Sequence, residues 1–200
     1  MAVDANKYFR GLRSFLNTKD YEVTKRDNDR IVLEEKIFLA GGEERKQKVR
    51  LGYGGDVIAI QLDLKKVRGG GSDPLFHFLD DNAKPWSKRC DFVVFQLLNK
   101  KISVYCIEFK SASLPESLVD QLAASEAWCK AVHSVINLYT GDKKRLHLKK
   151  FVFSCMDDPG RFVDDEGYIM RDHSIRHYHY DDLSSTKLEE LENACSVLVG

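Results

Sequence analysis

No C-x-x-C pair occurs in this 200-residue chain, and its five cysteines (Cys90, Cys106, Cys129, Cys155, Cys195) are odd in number and widely spaced. That pattern argues against a zinc cluster or a disulfide framework. Cys90, Cys106 and Cys155 stand in or beside apolar runs, where a free thiol behaves as a small hydrophobe. No apolar run approaches the ~20 residues that span a bilayer. The start, MAVDANKYFRGLRSFL, has no apolar h-region. The expectation is a soluble, cytoplasmic protein with no membrane partner. Net charge is missing too, because 31 Lys and Arg balance 31 Asp and Glu, which excludes a globally basic nucleic-acid binder. A local one is not excluded. Residues 1–155 hold 27 basic and 20 acidic side chains, whereas 156–200 hold 4 and 11. A polyanion is attracted to the first part and repelled by the tail.

The chain also lacks internal repeats and low-complexity tracts. RGGGSDP (68–74) is followed by no G-K-[ST], so it reads as a loop and not as a phosphate cradle. No G-x-S-x-G makes Ser111, Ser113 or Ser154 a nucleophile. What is present fits one domain over 1–200, with 43% apolar residues to build a core. Residues 7–16 have helical spacing (Tyr8, Phe9, Leu12, Phe15, Leu16). RIVLEEKIFL, KQKVRLGY and DVIAIQLDLKKV read as an N-terminal β-meander within 1–68, with glycine-bearing turns between them. DPLFHFLDD (73–81) reads as one or two helical turns. RCDFVVFQLL (89–98) and ISVYCIEFKS (102–111) read as strands covered on both faces. Ser113-Leu-Pro-Glu116 matches a capping box, predicting a helix from about Leu114 to Tyr139. KKFVFSCM (149–156) follows as a strand, and the crossover makes it parallel to the strand near 104. Residues 157–180 read as irregular or strand-like, and 184–199 as a closing amphipathic helix inside the acidic segment 157–200.

Asp91, Glu108 and Lys110 are ionisable residues in segments otherwise suited to a dry sheet, where an unpaired charge is costly. A turn centred on Asn99-Lys100 pairs residues whose numbers sum to 199, which sets Asp91 across from Glu108. Glu108 and Lys110, two apart, share a face, and Phe109 points into the core behind it. Two carboxylates and an ammonium then converge at one end of an antiparallel pair. Two hard oxygen ligands suit Mg²⁺ or Mn²⁺, which keeps waters and takes a phosphate as its remaining ligand. The cation acidifies a bound water and polarises a phosphoryl oxygen, while the ammonium stabilises developing charge. The bland alternative makes Asp91 a strand-end cap and Glu108–Lys110 a salt bridge.

D-F-V-V-F, then I-E-F-K-S, then a capped helix containing Q-L-A-A-S, resembles the PD-(D/E)XK nuclease superfamily over roughly residues 73–156. That resemblance implies a mixed α/β fold, a restriction-endonuclease-like αβββαβ core with a mixed sheet flanked by helices. It implies Asp91, Glu108, Lys110 and Gln121 as catalytic residues. The metal ligands it implies are Asp91, Glu108 and the backbone carbonyl of Phe109, holding Mg²⁺ or Mn²⁺. Two positions depart from the family pattern: Cys90 stands where proline is common, and Ser125 replaces the tyrosine of the Q-x-x-x-Y variant. Short proteins with K-x-C-D-F and I-E-F-K strands also resemble components of bacterial anti-phage systems. The implied activity is endonucleolytic hydrolysis of phosphodiester bonds, of DNA before RNA, gated by a protein partner or by homo-oligomerisation. The rival reading keeps the fold without catalysis, as a nucleic-acid-binding or assembly subunit.

Lys84, Lys88 and Arg89 precede the first site strand and are placed to contact phosphates, with Trp86 available to stack on a base or to pack. Lys100 and Lys101 sit at the far end of the hairpin. Lys143, Lys144, Arg145, Lys149 and Lys150 precede or begin the later strand. RDHSIRHYHYDD (171–182) places His177 and His179 on one strand face without a complete ligand set. It reads as a surface strand. His77 and His133 read as local hydrogen-bond partners.

Overall fold

The computed structural model describes residues 4–38, 42–63, 75, 79, 84–111, 113–141, 144–156 and 158–200. The glycine loop at 68–74, His77, Lys143 and, apart from Leu75 and Leu79, the helical turns at 73–81 lie outside the described residues. Helix α1 (Ala5–Phe15) starts at Asp4, whose carboxylate accepts the Asn6 N–H, and it buries Tyr8, Phe9 and Leu12. A single helical turn, α2 (Thr18–Tyr21), follows. The expected N-terminal meander is divided between two sheets. Strands β1 (Arg26–Asp27), β2 (Arg30–Phe38) and β3 (Glu44–Gly52) form a small antiparallel sheet. Strand β4 (Asp56–Gln61) joins the large sheet instead. The reason is burial. Val57, Ile58, Ala59 and Ile60 are all buried, so both faces of β4 need cover, whereas the outer face of β2 and β3 carries Glu34, Lys36, Lys46 and Lys48.

The large sheet continues with β5 (Phe92–Leu98), β6 (Lys101–Phe109), β7 (Leu146–Ser154), β8 (Tyr168–Ile169), β9 (Asp172–His179) and β10 (Val197–Val199). Its order is β4-β5-β6-β7-β9-β8. The β4–β5 and β5–β6 pairs are antiparallel, whereas β6–β7 and β7–β9 are parallel. Between β6 and β7 lies helix α3 (Ser117–Thr140), as the parallel crossover requires. The expected mixed α/β class is what these elements form.

Each face of the large sheet is covered. On one side α1 and α3 pack Leu12, Leu118, Leu122 and Ile136 onto Val93, Phe95, Val104, Cys106, Leu148 and Val152. On the other, Ile31, Leu33, Val49 and Leu51 of the small sheet lie against Phe92, Val94, Ile107, Phe109 and Phe153. At about 25 cal/mol per Å² of apolar surface removed from water, this two-sided burial dominates stability.

Two expected features do not form. The Ser113–Glu116 capping box is not used: α3 begins at Ser117, with Glu116 at its N-cap and no side-chain cap bond. Pro115 instead offers its carbonyl to the Leu118 N–H, so the chain makes a turn before the helix. Residues 184–199 are not a helix. Leu188 and Leu191 enter the core behind the sheet, around a short 3₁₀ turn at Leu188–Glu190. Asn193 then donates to the carbonyls of Lys150 and Ser174, and β10 pairs with the first part of β7. The free edge of β7 is thus shared, β10 on residues 146–148 and β9 on 150–154. Unpaired β-sheet groups outweigh the helical periodicity of so short a segment.

Gly55 has φ +69°, and a Cβ there would meet the Leu97 carbonyl oxygen at 2.1 Å, whereas Gly141, also at φ +69°, has nothing within 4 Å of such an atom. Gly141→Ala should therefore cost only the ~1–2 kcal/mol of a left-handed alanine, and Gly55→Ala clearly more. Urea unfolding of both variants checks this, and equal losses would contradict it.

Candidate active site

Asn99 and Lys100 both adopt left-handed backbone, φ 50° and 63°, the geometry of a two-residue I′ hairpin turn. That turn fixes the β5–β6 register from Leu98↔Lys101 to Phe92↔Ile107, the pairing expected from the sequence. Asp91 and Glu108 stand just beyond the last pair. Phe109 faces the second core, 5.4 Å from the Phe92 ring and 5.5 Å from that of Tyr180. Lys110 Nζ donates to Glu108 Oε1, and the Phe109 N–H donates to Asp91 Oδ2 at 2.6 Å. Asp91, Glu108 and Lys110 are therefore brought together, on the face that α3 covers.

Their burial has electrostatic consequences. Asp91 is 7% exposed and Glu108 2%. Burial first, then the charge of Glu108, pushes the Asp91 carboxyl well above its ordinary value, while the Phe109 N–H pulls it back. Burial raises Glu108 to about 7 against the pull of Lys110. Glu108 Oε2 is buried and has no hydrogen-bond partner. An acceptor left in this state is expensive unless a ligand meets it.

Gln121 sits in the second turn of α3 and lines a cleft of about 320 Å³ with Asp63, Ser87, Lys88, Arg89 and Ser117. Its Oε1 is another buried acceptor without a partner. Asp63, just after β4, was not singled out by the sequence; its charge also raises Glu108. The basic residues distribute unevenly. Lys84 is exposed, Trp86 is 39% exposed in a 3₁₀ turn (Pro85–Ser87), and Arg89 walls the cleft while donating to the Ser87 carbonyl. Lys88 is paired with Asp120 at 2.9 Å. Lys149 and Lys150 lie inside β7. Lys150 is buried between Glu126 and Asp172, at 3.4 and 3.2 Å, and Lys149 donates to the Leu191 carbonyl. Both serve the fold.

Two supports escaped the sequence. Ser125 accepts the Cys90 N–H at 2.7 Å and donates to the Gln121 carbonyl, clamping α3 to the residue before Asp91. A hydroxyl on the buried face of an apolar helix is the signal that points to it. The Tyr180 hydroxyl donates to the Lys110 carbonyl at 2.9 Å, a pairing 70 residues apart with no local signal. The histidine string forms β9, between β7 and the two-residue β8, and of its eight residues only Ile175 is buried, as fits a strand near the surface. His179 Nδ1 accepts the Asp181 N–H, while His133 meets its local partner Asn137 and, 125 residues away in sequence, the Tyr8 hydroxyl. Among the described residues no three His, Cys, Asp or Glu side chains converge to hold a metal ion. No family model, curated protein or solved structure matches this chain.

Because the folded pKa of Glu108 stands at about 7 against 4.5 for the free side chain, its contribution to stability is complete below about pH 4.5 and lost as pH rises through about 7. Other groups titrate in the same range, so the readout is the difference in melting temperature, in EDTA, between Glu108→Gln and wild type. The variant should gain on wild type across that window, and a difference independent of pH would contradict the assignment. Ser125→Ala strands the buried Cys90 N–H and should cost about 1–3 kcal/mol in urea unfolding. A loss below experimental error would remove Ser125 from its supporting role.

Proposed function

We propose that this chain is a metal-dependent nuclease of the PD-(D/E)XK kind, hydrolysing phosphodiester bonds in DNA before RNA. The observation that carries the reading is Glu108 Oε2, an unpartnered carboxylate oxygen buried beside the Asp91 carboxylate and the Lys110 ammonium. The order of α1, β4–β6, α3 and β7 supports it, being helix, three antiparallel strands, helix, parallel strand.

The donor set fits a hard divalent cation. Asp91 and Glu108 would hold Mg²⁺ or Mn²⁺, with the Phe109 carbonyl as a further ligand by resemblance. When bound, the cation supplies Lewis acidity and a water acidified toward neutrality. The chain's own groups do the rest. Lys110 places its ammonium where negative charge grows on the phosphoryl oxygens, and its contact with Glu108 holds it there. Gln121 Oε1 offers an acceptor on the cleft wall for an attacking water. Arg89 on the cleft wall and the exposed Lys84 would meet phosphates of the flanking strand, and Trp86 its bases. Burial raises both carboxyls, so they keep protons to higher pH than free side chains do and divalent-ion affinity would rise with pH through the neutral range.

The rival reading, a non-catalytic binding or assembly subunit, draws on the donors already in place: the Phe109 N–H occupies one Asp91 oxygen and Lys110 one Glu108 oxygen. Cleavage decides between the two. Lys110→Ala should keep the fold, because Glu108 then takes up a proton, and lose about 10²–10³-fold in hydrolysis. Glu108→Gln should lose activity similarly, with nucleic-acid affinity changed much less and still declining with salt. The assay uses plasmid, single-stranded DNA and RNA with Mg²⁺ or Mn²⁺, at protein concentrations that favour and disfavour self-association. Equal cleavage by wild type and Lys110→Ala would assign the activity elsewhere, and salt-sensitive binding without cleavage would favour the rival.

A further inference from the structure

The polar strip at this rim does not stop at Lys110. In the parallel ladders Glu108 pairs with Val152, and Val152 with His177, so the three form one row across β6, β7 and β9. Val152 belongs to the core under the helices, which places Glu108 and His177 on the same face. One step further, the Lys110 N–H donates to the Phe153 carbonyl, continuing the ladder so that Lys110 stands beside Ser154. Ser154 in turn contacts His177 Nε2 at 2.8 Å. Asp91, Glu108, Lys110, Ser154 and His177 thus follow one another along one edge of the face that the helices cover.

The hydrogen bonds of Ser154 assign the histidine tautomer. Ser154 is fully buried, and its Oγ accepts the Met156 N–H at 3.2 Å. Its own proton has one acceptor, His177 Nε2, so the ring proton lies on Nδ1. Burial, then the neighbouring His179, keeps the ring neutral by lowering its pKa. His177 Nδ1 has no hydrogen-bond partner among the described residues, and it is not among the enclosed atoms that lack one. It is a fixed N–H donor that still reaches solvent. Ser154, buried and already engaged, is no nucleophile.

We propose that His177 is a substrate-binding residue of this site, donating from Nδ1–H to a phosphate beside the scissile one, with Ser154 as its positioning residue. This rests on the nuclease reading above. Two strand spacings, about 10 Å, separate the rows of Glu108 and His177, which is too far for the reacting phosphate and within reach of a neighbour on the same strand.

The test measures binding and chemistry separately. Binding of a fluorescein-labelled single-stranded oligodeoxynucleotide is followed by anisotropy in Ca²⁺. Hydrolysis is followed on that oligonucleotide and on bis(p-nitrophenyl) phosphate, a diester with no neighbouring phosphate. His177→Ala should weaken oligonucleotide binding about tenfold, the size of one hydrogen bond to a charged group, and lower hydrolysis of the oligonucleotide much more than that of the small diester. His177→Gln keeps an amide at the Nε2 position and loses the Nδ1 donor, so it should bind as weakly as His177→Ala. His177→Asn restores that donor and should restore binding, which a merely structural role for the ring would not produce. Equal affinity in wild type and His177→Gln, or a matching loss on the small diester, would overturn the inference. Wild type that binds the oligonucleotide but cleaves neither substrate would overturn the nuclease reading while the binding comparison still decides on His177. Wild type that does not bind at all would overturn both.

Discussion

A sheet covered by apolar layers on both faces leaves few places for charge, and that constraint organises this protein. Helices α1 and α3 dry one face; the small sheet and the C-terminal segment dry the other. A carboxylate on such a surface raises its own pKa, finds a donor or binds a cation. Asp91 and Glu108 do the first two in part, and the oxygen of Glu108 left without a partner is where the third becomes the natural completion. Even the core must neutralise its exceptions. Lys150, buried at mid-sheet, is flanked by Glu126 and Asp172, whose carboxylates balance its charge.

The rim is held in place by contacts from every layer. Ser125 fastens the strand entry at Cys90 to α3, the Phe109 N–H fixes Asp91 from within the hairpin, and Tyr180 reaches from beyond β9 to the Lys110 carbonyl. Tyr180 also packs on Phe109 from the face opposite the carboxylates. One residue of β6 is therefore gripped from behind while its neighbours Glu108 and Lys110 meet on the opposite face. A site so supported is preorganised, since the side chains that would meet a ligand are set by packing that exists without it.

The acidic end of the chain plays a part different from a detached tail. Its apolar residues Leu183, Leu188 and Leu191 complete the second core, and Glu189 accepts from the Gln96 amide and the Gly54 N–H. Asn193 seals the point where β9 and β10 meet along β7. The charge imbalance between the two parts of the sequence is thus folded into one body, with acidic groups such as Asp181 and Asp182 left at its surface.

Local chemistry was enough to determine the hairpin and the carboxylate pair. Asn99-Lys100 admits a two-residue turn, the alternation on either side admits one register, and Asp91, Glu108 and Lys110 follow from counting. The parallel strand after α3 followed because a long helix between strands enforces it. Tertiary structure decided the rest, for reasons no local window contains. β4 left the meander because its two apolar faces needed two covers. Residues 184–199 gave up a helical pattern because β7 had an edge to fill and the second core had room for Leu188 and Leu191. Ser125, Tyr180, Asp63 and the Ser154–His177 pair joined the site only when strands distant in sequence were set side by side. Hydrogen bonds between such distant segments depend on the packing of the whole sheet, whereas a turn and its register depend on a dozen neighbouring residues.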